Sequence, residues 1–332
     1  MEGNRFAFIS SIRMELPQMN QVHKPSFSFE LLYIVGIIAI SFSSIFVRWS
    51  EAEVSVIAMY RLYLTNLVML PLVWKYRTEL FSLTRKQWML ILWSGITLGL
   101  HFLLWMGSLR LTTVASSTVI MTLEPILVML GSFLFFRTGT NRAMLIGMGM
   151  AFIGSLAIGA GDFHVSGQAL LGDALSFLGM VAVSIHMLMG KHLREHLSAF
   201  VYNFWVFAIA ATSLALYNVV NAIPFTGYAP REWGLFLLLA IVPTLFGHYL
   251  FNWLLKYINA TAVSMAVLGE PVISSLLAWV LLGERLSALQ FGAGFFILLG
   301  VWIFIRYGAD FKKPVVHQSE LSNTEHPLKA SS

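Results

Sequence analysis

The chain of 332 residues contains no cysteine. That excludes disulfides, thiolate nucleophiles and thiolate metal sites, and it leaves redox compartment unreadable. Charge is scarce too. Only 11% of residues are Asp, Glu, Lys or Arg, where a soluble domain carries about a quarter. A chain this poor in polar groups cannot clothe a water-facing surface. No G-x-x-x-x-G-K-[ST] loop and no G-x-S-x-G elbow occurs, which argues against ATP hydrolysis and serine-hydrolase chemistry. No cofactor and no enzymatic activity are expected.

What is present is apolar. Hydrophobic residues make up 58% of the chain and the mean hydropathy is +0.76, so the solvent for most of it is a lipid bilayer. A pI near 9.5 is also compatible with nucleic acid, but the basic residues sit in short connectors between apolar runs. That placement fits membrane topology and excludes a nucleic-acid partner. Residues 1–28 lack the uninterrupted apolar core of a signal peptide, because Arg13 and Glu15 break it. They read as a cytoplasmic leader, and the polar, aperiodic residues 308–332 as a solvated tail.

Roughly 20 apolar residues cross a bilayer core as a helix. Ten such runs are predicted: 31–49, 54–74, 88–109, 114–136, 142–160, 170–190, 200–220, 233–255, 261–282 and 288–307. They lack the alternation of barrel strands, so the expected class is an all-α integral membrane protein. With a cytoplasmic N-terminus, only Arg48, Arg61, Arg110, Arg231 and Arg285 of the 21 basic residues fall outside. The asymmetry places both termini in the cytoplasm of a plasma-membrane protein.

The sequence also repeats. Displaced by 146 positions, "LRLTTVASSTVIMTLEP" (109–125) falls on "LKYINATAVSMAVLGEP" (255–271), matching Arg110 to Lys256, Glu124 to Glu270 and Pro125 to Pro271. Further matches in the same order argue for duplication. Five spans per half is an odd number, so the halves, 29–161 and 168–307, are expected to be inverted repeats. Secondary transporters use that geometry for alternating access.

The chain resembles the EamA-type ten-helix branch of the drug/metabolite transporter superfamily. The resemblance rests on "YRL" (60–62), on Glu124-Pro125, on Gly172-Asp173, and above all on "GEPVISSLLAWVLLGERLSALQFGAGFFILLGV" (269–301). In the first half, Arg137-Thr138 stand where Gly283-Glu284 stand in the second. The resemblance implies export of amino acids or other small metabolites or drugs, without naming the cargo.

Pro125 and Pro271 each remove a backbone donor and crowd the carbonyl four residues back, at Met121 and Val267. A bend is expected at both. A charge at the centre of a spanning helix costs about 2.5–3.5 kcal/mol on insertion scales, so two glutamates at matching depth need a reason. In one reading Glu124 and Glu270 face a central cavity, where they hold a substrate amine, carry a coupling proton, or both. In the other, each is neutral and bonds a freed carbonyl, Thr118 or Ser264.

Further polar groups punctuate the spans. His101 and Trp105 share one helical face, as do His248 and Asn252, and the two stretches correspond in the repeat. All four are candidates to line the cavity, with His186 a further one. Arg61 either joins that cavity, pairs with Glu51 or Glu53, or snorkels to the outer surface. Gly147, Ala151 and Ser155 form a smooth stripe for helix packing. "HLREH" (192–196) formally matches a zinc pattern, but it lies in a short basic connector, and no metal site is assigned. The functional expectation is a secondary-active exporter of small metabolites, amino acids or related amines, driven by a proton gradient, a substrate gradient or exchange, as a monomer or homodimer. The alternatives are a carrier of lipid-linked or nucleotide sugars and a membrane scaffold or sensor.

Overall fold

The structure, a computed structural model, describes residues 29–160, 167–283 and 288–308. The expected leader, the tail from 309 onward, Glu284 and Arg285 lie outside the described residues. Those described are helical and contain no strand. In chain order the helices are α1 (Phe29–Trp49), α2 (Val54–Phe81), α3 (Arg85–Ser108), α4 (Val114–Met121), α5 (Glu124–Phe136), α6 (Arg142–Ala160), α7 (Gly167–Arg194), α8 (Ala199–Val220) and α9 (Pro230–Leu239). A π-helical segment, π1 (Ala240–Tyr249), follows without a break. Then come α10 (Leu250–Leu254), α11 (Ala260–Val267), α12 (Glu270–Leu282) and α13 (Ala288–Gly308).

Eight stretches are long and apolar enough to cross a membrane. Two more apolar stretches, 142–157 in α6 and 291–304 in α13, are shorter. They occupy the places of the fifth and tenth expected spans. The arrangement is inside-out relative to a soluble protein. Phe135, Val220 and Phe295 point outward, whereas Arg61, Asn203, Ser264 and Glu124 are buried. Bilayer tails cover the first set, and polar groups must find partners within the bundle.

Local signals explain the boundaries. Thr84 and Gln87 form a reciprocal capping box at the start of α3. Thr113 accepts from the Ser116 N–H at the start of α4, and Asn259 accepts from the Ala262 N–H at the start of α11. These two caps occupy matching positions in the halves. So do the left-handed residues that end α5 and α12, Arg137 (φ 52°) and Gly283 (φ 71°). Glycine meets that conformation freely, whereas a side chain costs about 1–2 kcal/mol. Arg137→Gly is therefore expected to stabilise the fold by about 1 kcal/mol, read as a higher midpoint of thermal unfolding in detergent.

The proline-bearing spans do more than bend. Each divides into an eight-residue and a thirteen-residue helix, α4/α5 and α11/α12. The junctions tighten to three-residue turns: Leu123 N–H donates to the Ile120 carbonyl, and Gly269 N–H to that of Ala266. The backbone stays right-handed through both (Leu123 φ −75°, ψ −15°; Gly269 φ −72°, ψ −19°). The chain therefore changes direction without reversing.

Packing is paired throughout. The contact of α3 with α7 is matched by that of α1 with π1, and α3 with α8 by α2 with π1. Likewise α5 with α7 is matched by α1 with α12, and α4 with α12 by α5 with α11. The most extensive contact joins α6 to α13, where the small-residue stripe does what its spacing predicts. A Cβ on Gly147 would lie 2.6 Å from the Gly300 carbonyl oxygen, and one on Gly300 would lie 2.5 Å from that of Gly147. The two backbones are in van der Waals contact.

Candidate functional site

The two acids open the two longer half-helices. Glu124 is the first residue of α5 and Glu270 the first of α12, each followed by its proline. Proline suits that place because its missing N–H has no helical partner to lose there. The positive end of each helix dipole consequently falls on a carboxyl deep in the bundle. Glu124 and Glu270 are only 2% and 9% exposed, and Glu124 Oε1 is buried with no hydrogen-bond partner. The pair lies within electrostatic reach of each other, as the crossed contacts α4–α12 and α5–α11 require. Of the nearby hydroxyls, Thr118 donates to the Val114 carbonyl (2.8 Å) and Ser264 to that of Thr261 (3.0 Å).

A second locus forms around Arg61. It is fully buried, so it does not snorkel. It does not pair with Glu51 or Glu53 either, because its side chain runs inward. Nε donates to Thr244 Oγ1 on π1 (3.0 Å) and Nη1 to Ser43 Oγ on α1 (3.2 Å). The guanidinium stands 4.3 Å from the centroid of Phe102. His248 meets Phe102 edge-on at 5.0 Å and His101 at 6.4 Å, and Trp105 stacks on His101 at 6.1 Å. His101 Nδ1 faces the Gly179 carbonyl (3.0 Å), so that nitrogen carries a proton and Nε2 is left to the interior.

The cluster continues into α7 and α8. His186 Nδ1 lies 2.9 Å from Ser94 Oγ, which also meets the Tyr202 hydroxyl at 2.9 Å. Nearby, Asn252 donates from Nδ2 to Asn203 Oδ1 (2.7 Å). The structure thus brings Arg61, His101, Trp105, His248, Asn252 and His186 together. Among the described residues the hydrogen bonds of the Arg61 side chain go to Thr244 and Ser43, and no ion pair joins it to Glu124 or Glu270.

Both halves of the chain match one family pattern, that of the EamA-like transporter family, over residues 28–160 and 170–306. The chain belongs to the EamA-like transporter family. It is similar to an uncharacterized transporter of Archaeoglobus fulgidus, 28% identical over 216 residues, covering 62% of this chain and 72% of that one. It is also similar to the uncharacterized transporter YetK of Bacillus subtilis, 25% identical over 256 residues, covering 74% and 76%. One solved crystal structure superposes with a TM-score of 0.69 at 18% identity, covering 85% of this chain and 98% of that one, which shows a shared fold. The protein is a multi-pass membrane transporter.

Several residues of this EamA-family site are not legible as such in the sequence. Thr244 precedes His248 by four and Asn252 by eight, a polar stripe that could have exposed it. Ser43, Ser94 and Asn203 each look like an ordinary small or polar interruption of an apolar run. The π1 segment is the largest omission. Trp88 and Trp233 are 145 positions apart, but His101 and His248 are 147 apart. The second half carries two extra residues in that interval, and the wide turns of π1, anchored by Pro243, absorb them. The Thr244 hydroxyl reaches the Leu239 carbonyl, five residues back, at 2.7 Å.

At one end of the bundle lies a cavity of about 220 Å³, lined by Tyr76, Arg194, Phe200, Tyr249, Trp253, Lys256 and Tyr257 among others. Arg194 is held by the carbonyls of Asn252, Leu197 and Trp253, which ties this vestibule to the Asn252 network. Asn203→Ala would strand Asn252 Nδ2. A loss of about 1–3 kcal/mol in stability is expected, measured as a lowered thermal midpoint against Asn203→Asp as the control that keeps an acceptor.

Proposed function

We propose that this transporter is a secondary-active exporter of small metabolites, amino acids or related amines, working by alternating access across the plasma membrane. Its two units, 29–161 and 168–307, are read as inverted five-helix repeats with both termini cytoplasmic. The matched contacts of the two halves support that symmetry. The observation that carries the reading is the pair of buried acids at the two helix breaks. A spanning helix with a merely structural task would place leucine there. Two carboxyls on symmetry-related breaks provide titratable groups that the movement of the halves can expose to either face, and they are assigned the coupling proton.

The test is export. Overexpression is expected to protect cells against one chemical class in a panel of toxic amino acids, amines and dyes. Everted vesicles are expected to accumulate that class when a pH gradient is imposed. Absence of both effects across the panel would reject the exporter. Topology offers a separate check, because the native chain has no thiol to confuse labelling. Glu51→Cys is expected to react with a membrane-impermeant maleimide on intact cells, and Ser82→Cys only after lysis. Equal labelling of both would remove the inverted arrangement.

A further inference from the structure

We infer that Arg61 is the seat of an anionic group on the transported molecule, a carboxylate, and that the cargo is therefore a monocarboxylate or carries one. This rests on the export function proposed above. A guanidinium held wholly out of water needs an opposite charge or a full set of acceptors. Arg61 has neither. Its two hydrogen bonds go to neutral hydroxyls. Its Nη2 is buried with no partner. Among the described residues the ion pair found is that of Lys191 with Glu195, and no carboxylate approaches Arg61.

The surroundings define what would complete it. Three elements, α1, α2 and π1, converge on the guanidinium and fix its orientation, so one edge is spent on Ser43 and Thr244 and the free Nη2 remains. His248 lies beside it against Phe102 and His101 and is half-buried. One guanidinium, with no lysine or second arginine bonded beside it among the described residues, suits a single negative charge. A phosphate dianion would call for more. The walls contributed by Phe102 and Trp105 suit an apolar or aromatic body attached to that charge. The acids at the helix breaks form no ion pair with Arg61. They are left to the proton.

Equilibrium binding to purified full-length protein in detergent, with no gradient, tests this. Benzoate, phenylacetate, indole-3-acetate and 4-methylpentanoate are titrated beside their amides, following ligand-induced thermal stabilisation. At least one acid is expected to bind about tenfold or more tightly than its amide. Arg61→Gln is expected to erase that preference while eluting as a folded protein. Arg61→Lys, which keeps charge without the fork, is expected to retain part of it. No acid preference in the wild type would overturn the inference without reference to any variant, and so would chloride displacing the acids at equal concentration. The same titration on Glu124→Gln/Glu270→Gln separates the two readings. Acid preference that survives there, with export absent, would leave the Arg61 seat standing and remove the coupling role.

Discussion

Glu124→Gln together with Glu270→Gln is expected to abolish uptake driven by a pH gradient into proteoliposomes while leaving gradient-free exchange of labelled for unlabelled substrate largely intact. Glutamine keeps the volume of the acid and most of its hydrogen bonding, so the helix breaks and the fold survive. What it loses is the ability to take a proton on one face and release it on the other. Each single variant is expected to flatten the pH profile of transport and to cut gradient-driven accumulation by about tenfold or more, since the two carboxyls sense each other and act as a unit. A double variant that still concentrates substrate, with an unchanged pH profile, would return both acids to a structural role. Because Glu124 Oε1 lacks a partner, its replacement by an uncharged group is expected to raise thermal stability slightly even as coupling disappears. A merely structural glutamate would show the opposite.

Gly147→Leu and Gly300→Leu are expected to produce the largest structural losses. Each introduces a side chain into space already held by the partner backbone at 2.5–2.9 Å. Backbone cannot rotate aside as a flexible side chain can, so α6 and α13 must separate. Over-packing of a tight interface costs about 1–3 kcal/mol and at times more, and this pair has the most extensive contact in the bundle. Expected results are low yield of folded protein and aggregation on gel filtration. Gly149→Leu and Gly292→Leu, on the same helices but facing open space, are expected to be tolerated. If all four variants behave alike, close helix contact is not what the glycines provide.

Much of this architecture is legible in the sequence. The membrane-spanning, all-helical class follows from hydropathy, because lipid demands long apolar helices, and the two family-matched halves follow from one displaced comparison. The depth of Glu124 and Glu270 was equally plain. The destination of Arg61 was not. A sequence shows a cation one turn inside a span and cannot say whether it turns out to water or inward to Ser43 and Thr244, since that depends on helices 18 and 183 positions away. The linkages of His186 to Ser94 and Tyr202, and of Asn252 to Asn203, were hidden for the same reason. The breaks went further than a proline-induced bend, since the turns at Leu123 and Gly269 tighten as well.

The π1 segment leaves the two halves unequal. Its counterpart in the first half, Arg85–Ser108, is one uninterrupted α-helix, whereas the second half winds ten residues at the wider pitch. Identical halves would idle with equal ease toward either compartment. A molecule with one overwide span has no such degeneracy. Under the two-unit reading it has a preferred waiting posture, and the energy separating that posture from its opposite sets which side solutes meet first.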